Sequence, residues 1–94
     1  MEEKNYSLKV YIDKNNEIIK DEDFIVINEG AEEIVCQALR CDDGTLLYEE
    51  LKYDYKKGDL SLTDEPNYPD AYSKDEIKII SFNRAVSILR KKFN

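Results

Sequence analysis

Histidine is absent from this chain, and glycine and proline are scarce, at three and two of 94 residues. Without histidine there is no common general base near neutral pH, and no partner to activate serine or cysteine in a dyad or triad. Ser61, Ser73, Ser81 and Cys36 have no nucleophile-elbow context. Three glycines supply neither a phosphate-cradling loop nor a G-x-G-x-x-G turn. Paired carboxylates remain as an acid–base device, as in glycoside cleavage, but a chain this short has little room for the enclosed cleft that raises a carboxyl pKa. The expectation is a protein that is not an enzyme and carries no cofactor. A small carboxylate-based enzyme or ligand-binding domain is the second alternative.

Long apolar runs are also missing. The longest is FIVI, Phe24 to Ile27, far short of the roughly 18 residues that span a bilayer, and the acidic start MEEKNYSLKV has no apolar signal segment. No membrane association is expected, and a cytoplasmic location follows. Cysteine is limited to Cys36 and Cys41. Five apart, they diverge on a helix and take opposite faces on a strand, so neither geometry clips a metal, and two buried thiols acting as small apolar residues are expected. From Asp13 the chain superficially opens like a calcium loop, with Asn15 and Glu17 in the third and fifth places. Ile18 stands where the loop needs Gly and Phe24 where it needs Glu. A turn is the better reading, and no metal is expected.

What the chain does have is charge and a modest apolar set. Ile, Leu, Val and Phe make up 25 of the 94 residues, above the roughly 20% below which charged chains stay disordered. One compact domain over residues 1–94 is expected. Net charge is −7, unevenly spread. Residues 21–50 hold ten acids against Arg40 alone, whereas residues 77–94 hold Lys78, Arg84, Arg90, Lys91 and Lys92 and no acid. Direct nucleic-acid binding needs a basic footprint and is not expected; the terminal cations suit a helix C-terminus.

Alternation puts Tyr6, Leu8, Val10 and Ile12 on one face of a strand, followed by a turn at Asn15–Asn16 and a returning EII. DFIVIN is a further strand, rich in β-branched residues. Over residues 30–41, Ala31, Ile34, Val35, Ala38 and Leu39 fit a helical stripe, capped by Asn28 and ended by Gly44, although Ile34, Val35 and Cys36 also tolerate a strand. Leu51, Tyr53 and Tyr55 share the apolar face of a hairpin that turns at Gly58 and returns through Leu60 and Leu62. Residues 63–74 read as an irregular loop, EIKIISF as a strand, and NRAVSILRKKF as an amphipathic helix capped by Ser81 or Asn83 and burying Phe82, Val86, Leu89 and Phe93. The fold class is therefore α+β, a small, mostly antiparallel sheet with two helices packed on one face.

Five of the seven tyrosines fall among acids between residues 46 and 72. Carboxylates on a rigid scaffold, interleaved with tyrosine, can occupy a basic groove that otherwise holds a nucleic-acid backbone, as small acidic inhibitors, phage-encoded ones among them, do. The expected partner is a protein with a basic surface. The expected contact residues are Asp42, Asp43, Tyr48, Glu49, Glu50, Asp64, Glu65, Tyr68, Asp70 and Tyr72. Two other readings compete: a homo-oligomeric accessory subunit with the tyrosines buried between copies, and an acidic surface that serves solubility alone.

Overall fold

The computed structural model describes residues 10–92 as a five-stranded antiparallel sheet and one C-terminal helix. The strands are β1 (Phe24–Ile27), β2 (Ile34–Arg40), β3 (Leu46–Asp54), β4 (Asp59–Asn67) and β5 (Ile77–Ile80), and α1 spans Phe82–Lys92. Their order across the sheet is β4-β3-β2-β1-β5. The first four strands form a meander of hairpins. The chain then passes through two 3-10 turns, Pro69–Ala71 and Lys74–Glu76, and adds β5 antiparallel to β1. Among the described residues no helix is long and apolar enough to cross a membrane.

Both faces of the sheet are covered, which decides where side chains go. On one face Val26, Val35 and Leu51 pack against Ala85, Ile88 and Leu89 of α1, with Phe24, Tyr53, Leu60 and Ile80 around them. On the other, Ile25, Ile27, Cys36, Ala38, Leu46, Tyr48 and Ile77 pack with Ile19, Tyr11 and Tyr72 from the chain that crosses that face. The helix expected over 30–41 is instead β2. This strand is central, so Val35 is buried on one face and Cys36 and Ala38 on the other. A strand buried on both sides reads as a nearly continuous apolar run, and such a run also satisfies a helical stripe. Among the described residues one helix, not two, therefore lies on the sheet. Asn28 does not cap a helix; it takes a left-handed φ of 60° in the β1–β2 turn.

The hairpin turning at Gly58 is present, with φ of 66° there and Asp54 closing the turn through its carboxylate on the N–H of Lys56, 2.9 Å away. No atom stands within 4 Å of a Cβ built on Gly58, so backbone strain alone opposes a side chain. Gly58→Val should therefore lower stability by about 1–2 kcal/mol, read as a fall in urea midpoint, with Gly58→Asn nearly silent. The expected loop 63–74 is shorter than drawn, because β4 continues to Asn67. Between Glu49 and Leu51 the β3–β4 register slips by two residues, and Asp64 absorbs the irregularity at φ 63°.

Ser81, not Asn83, caps α1, its hydroxyl oxygen accepting the N–H of Arg84 at 3.1 Å. The buried stripe is Ala85, Ile88 and Leu89 rather than Phe82, Val86 and Leu89; Phe82 is 48% exposed, its ring edge-on to that of Phe24. The small Ala85, fully buried, lets the helix close on the sheet, and this rotates the contact face toward Ile88. Phe93 lies outside the described residues, as do Tyr6 and Leu8 of the expected first strand; of that strand the described part is a single bridge between Ile12 and Ile18.

The returning turn holds the sheet's edge. Asp13, fully buried, accepts the N–H groups of Asn15 and Glu17 on one carboxylate oxygen, both at 2.9 Å, and that of Ile79 in β5 on the other, at 3.0 Å. The N–H of Lys14 donates to the carbonyl of Ile77 at 2.8 Å. The segment that mimics the start of a calcium loop is thus a clip on β5.

Candidate functional site

The ten candidate contact residues gather on β3, β4 and the loops at their ends, but not on one face. Asp42 and Asp43 sit in the β2–β3 turn, where Gly44 takes φ 86°. Asp43 is committed locally: its carboxylate accepts the N–H of Thr45 at 3.0 Å, and that bond holds its pKa below the ordinary aspartate value. Glu49 pairs with Pro66 and Gln37 on the helix side, while Glu50 pairs with Cys36 on the opposite side. Asp64 and Glu65 lie exposed on β4. Tyr68, 57% exposed, precedes the first 3-10 turn, which carries Asp70.

The expectation for Tyr48 is corrected. It is 1% exposed in the core, pairing with Ala38 and Asn67, and offers no surface to a partner. Tyr72 is half-buried against the same cluster, its hydroxyl within 3.4 Å of the Asn67 side-chain oxygen. Tyr48, Asp70 and Tyr72 do meet around one hollow of about 340 Å³, which Tyr11, Lys74 and Ile77 also border. A larger groove, about 590 Å³, runs between α1 and the β1–β2 loop, with Ile34 and Ile88 in it and Glu32, Arg84 and Lys91 along it; no candidate residue lines it.

Titration within the cluster runs in one direction. Burial, and then the charge of Glu50, pushes the Cys36 thiol up to about 12, with a hydrogen bond to Asn67 acting weakly against it. Burial likewise pushes Tyr48 up to about 12 and raises Tyr72, with Glu50 and Glu76 adding to the shift at Tyr72. All three stay protonated at neutral pH, and Cys36 is held as a thiol, the unreactive form. Cys41, by contrast, lies just past β2 and is exposed, which corrects the expectation of two buried thiols. Ellman's reagent should therefore label one thiol of the native protein, Cys41, and reach Cys36 only at the rate of unfolding; two labelled thiols without denaturant would refute this.

The remaining carboxylates separate into two populations. Asp13, Asp23, Asp43, Asp54, Asp59, Glu33 and Glu76 each accept a backbone N–H within four residues, and Asp21 accepts that of Arg40. Glu29 takes both Lys14 and Lys78, at 3.6 and 3.4 Å. Six candidates, Asp42, Glu49, Glu50, Asp64, Glu65 and Asp70, have carboxylates in neither set; Glu17, Glu22, Glu32 and Asp75 are the others, on the segments leading into β1, β2 and β5. Among the described residues no group of three or more Cys, Asp or Glu side chains is placed to hold a metal ion. Comparison with models of protein families, with curated proteins and with solved structures finds no match to this chain.

Proposed function

We propose that the chain is a non-catalytic, acidic interaction module that binds a protein partner through a basic surface, one that otherwise holds a nucleic-acid backbone. The observation that carries this reading is the set of six uncommitted carboxylates on β3, β4 and their loops. An acid that caps a turn is used by the fold, whereas the carboxylates of Asp42, Glu49, Glu50, Asp64, Glu65 and Asp70 neither cap a turn nor join the ion pairs of Glu29. They lie on or beside the β3–β4 hairpin, on both faces of the sheet, with Glu49 and Glu50 placed by strand pairing. Such preplaced charge speeds encounter and selects a partner of opposite sign. Tyr68, exposed beside Asp70, is the aromatic contact.

The test pairs capture with competition. The tagged protein, incubated with lysate of its source cells, should retain one basic protein that salt releases in the range where exposed charges are screened. The purified partner should then lose its grip on nucleic acid as this protein is added. The combined variant Asp42→Lys, Glu49→Lys, Glu65→Lys and Asp70→Lys should retain its fold and lose capture by at least about tenfold. A partner indifferent to both salt and these reversals would defeat the reading. Recovery of the chain alone, with sedimentation showing a tight oligomer that shields Tyr68, would replace it with the homo-oligomeric accessory subunit.

A further inference from the structure

The two edges of the sheet are finished differently. At β5 the N–H of Ile79 is taken by Asp13 and the carbonyl of Ile77 by Lys14, so the turn at residues 11–19 stops the sheet there. At the far edge, among the described residues, β4 has β3 on one side and no strand on the other. Among the described residues no backbone hydrogen bond joins β4 to anything across its outer side; the N–H of Leu60 rests on the neighbouring Asp59 carboxylate at 2.7 Å, a local bond that an added strand would have to displace. A row of unpaired N–H and C=O groups is a template for another strand.

The side chains of β4 decide which strand can use it. Asp59, Asp64 and Glu65 are its charged residues, and it has no lysine or arginine. Two copies pairing edge to edge would each bring a net charge of −7, which opposes self-association. A strand bearing lysine or arginine meets no such opposition. The length of the usable edge is bounded by the chain itself. Asp64 at φ 63° leaves the extended conformation, and Pro66 has no N–H to give, so regular pairing runs from Asp59 to Thr63. Within it Leu62, 41% exposed, lies across from Leu51 on the helix side and offers an apolar contact, while Asp59 and Ser61 alternate with it.

We propose that residues 59–63 of β4 accept an extended, lysine- or arginine-rich segment of the partner protein as a sixth strand. Main-chain hydrogen bonds supply the attachment, and the acids supply the choice of partner. This deepens the reading of the chain as an acidic module and rests on it, adding where and in what conformation the partner binds.

The probe is a capped seven-residue peptide alternating lysine with valine, titrated into the isotope-labelled protein at low salt and followed by amide shifts and hydrogen exchange. The expected result is shift changes centred on residues 59–63, with exchange of β4 amides not already paired to β3 slowed about tenfold at ten times the dissociation constant. A peptide of equal charge with proline in place of valine cannot pair and should bind at least tenfold more weakly. The variant Asp59→Lys, Asp64→Lys, Glu65→Lys should lose the alternating peptide to the same degree. Equal binding of the proline peptide, or shifts at Asp42, Glu49 and Glu50 with β4 untouched, would overturn the added strand while leaving the acidic module standing. Binding of neither peptide would overturn both.

Discussion

Replacing Asp13 with alanine should remove about 3 kcal/mol of stability, measured as the loss of free energy in urea unfolding at neutral pH. Three N–H groups account for the loss. Those of Asn15, Glu17 and Ile79 all end on this one carboxylate, within 2.9–3.0 Å. A hydrogen bond to a charged acceptor is worth about 1.5–3 kcal/mol, and a buried donor left without one costs about 1–3 kcal/mol. Water can reach the two donors in the exposed turn but not readily the one in β5, which keeps the total near 3 rather than the full sum. For a domain of this size, stable by on the order of 5–10 kcal/mol, that is a third or more of what holds it.

Acid supplies an independent check. Burial by itself would raise the Asp13 pKa, but the N–H groups of Ile79, Glu17 and Asn15 outweigh it and hold the value below the ordinary 3.8. A group whose folded pKa is depressed contributes stability above its unfolded value and loses that contribution as pH falls through the folded one. Asp13→Asn keeps one acceptor oxygen but turns an NH₂ toward a donor, so it should be less stable than the parent at pH 7. The gap should narrow as pH drops below about 3.8. A gap constant from pH 7 to pH 2.5 would mean that the charge on Asp13 does nothing for the fold.

The role of Asp13 illustrates what could be read from the chain and what could not. The turn itself was legible, because Asp and Asn in DKNNE favour left-handed backbone, and Asn16 adopts φ of 61°. Its third hydrogen bond was not, because Ile79 lies 66 residues away and no local pattern announces it. The same division holds elsewhere. The hairpin through Gly58 is a local alternation, and the strands FIVI and IKII are short apolar runs rich in β-branched residues, so all three were readable. The identity of β2 depended on lying between two other strands, a fact of the whole sheet. For the candidate site, Tyr48 falls outside the hairpin alternation that begins at Leu51, and this makes it read as a contact residue. Extended backward, that alternation sends Tyr48 with Leu46 to the opposite face, where the crossing chain with Pro69 and Tyr72 buries it. Nothing in the residues themselves shows that this second face is covered.

The face of α1 can be settled by two substitutions. Leu89→Ala should cost about 2–4 kcal/mol, since Leu89 is 1% exposed and packs into the cluster of Val26, Val35 and Leu51, where shortening it leaves a cavity. Phe82→Ala should cost no more than about 1 kcal/mol, although it deletes a larger side chain, because Phe82 is 48% exposed and its ring meets that of Phe24 edge-on at 5.5 Å between centroids. A helix seated on Phe82, Val86 and Leu89 would reverse that order, since a fully buried phenylalanine costs about 3–5 kcal/mol to truncate. Urea midpoints of the two variants, converted with a common slope, decide between the seatings. The outcome also bears on the partner surface: a Phe82 that contributes little to the fold remains an exposed ring beside the sheet, and its removal should leave the alternating peptide's affinity for β4 unchanged.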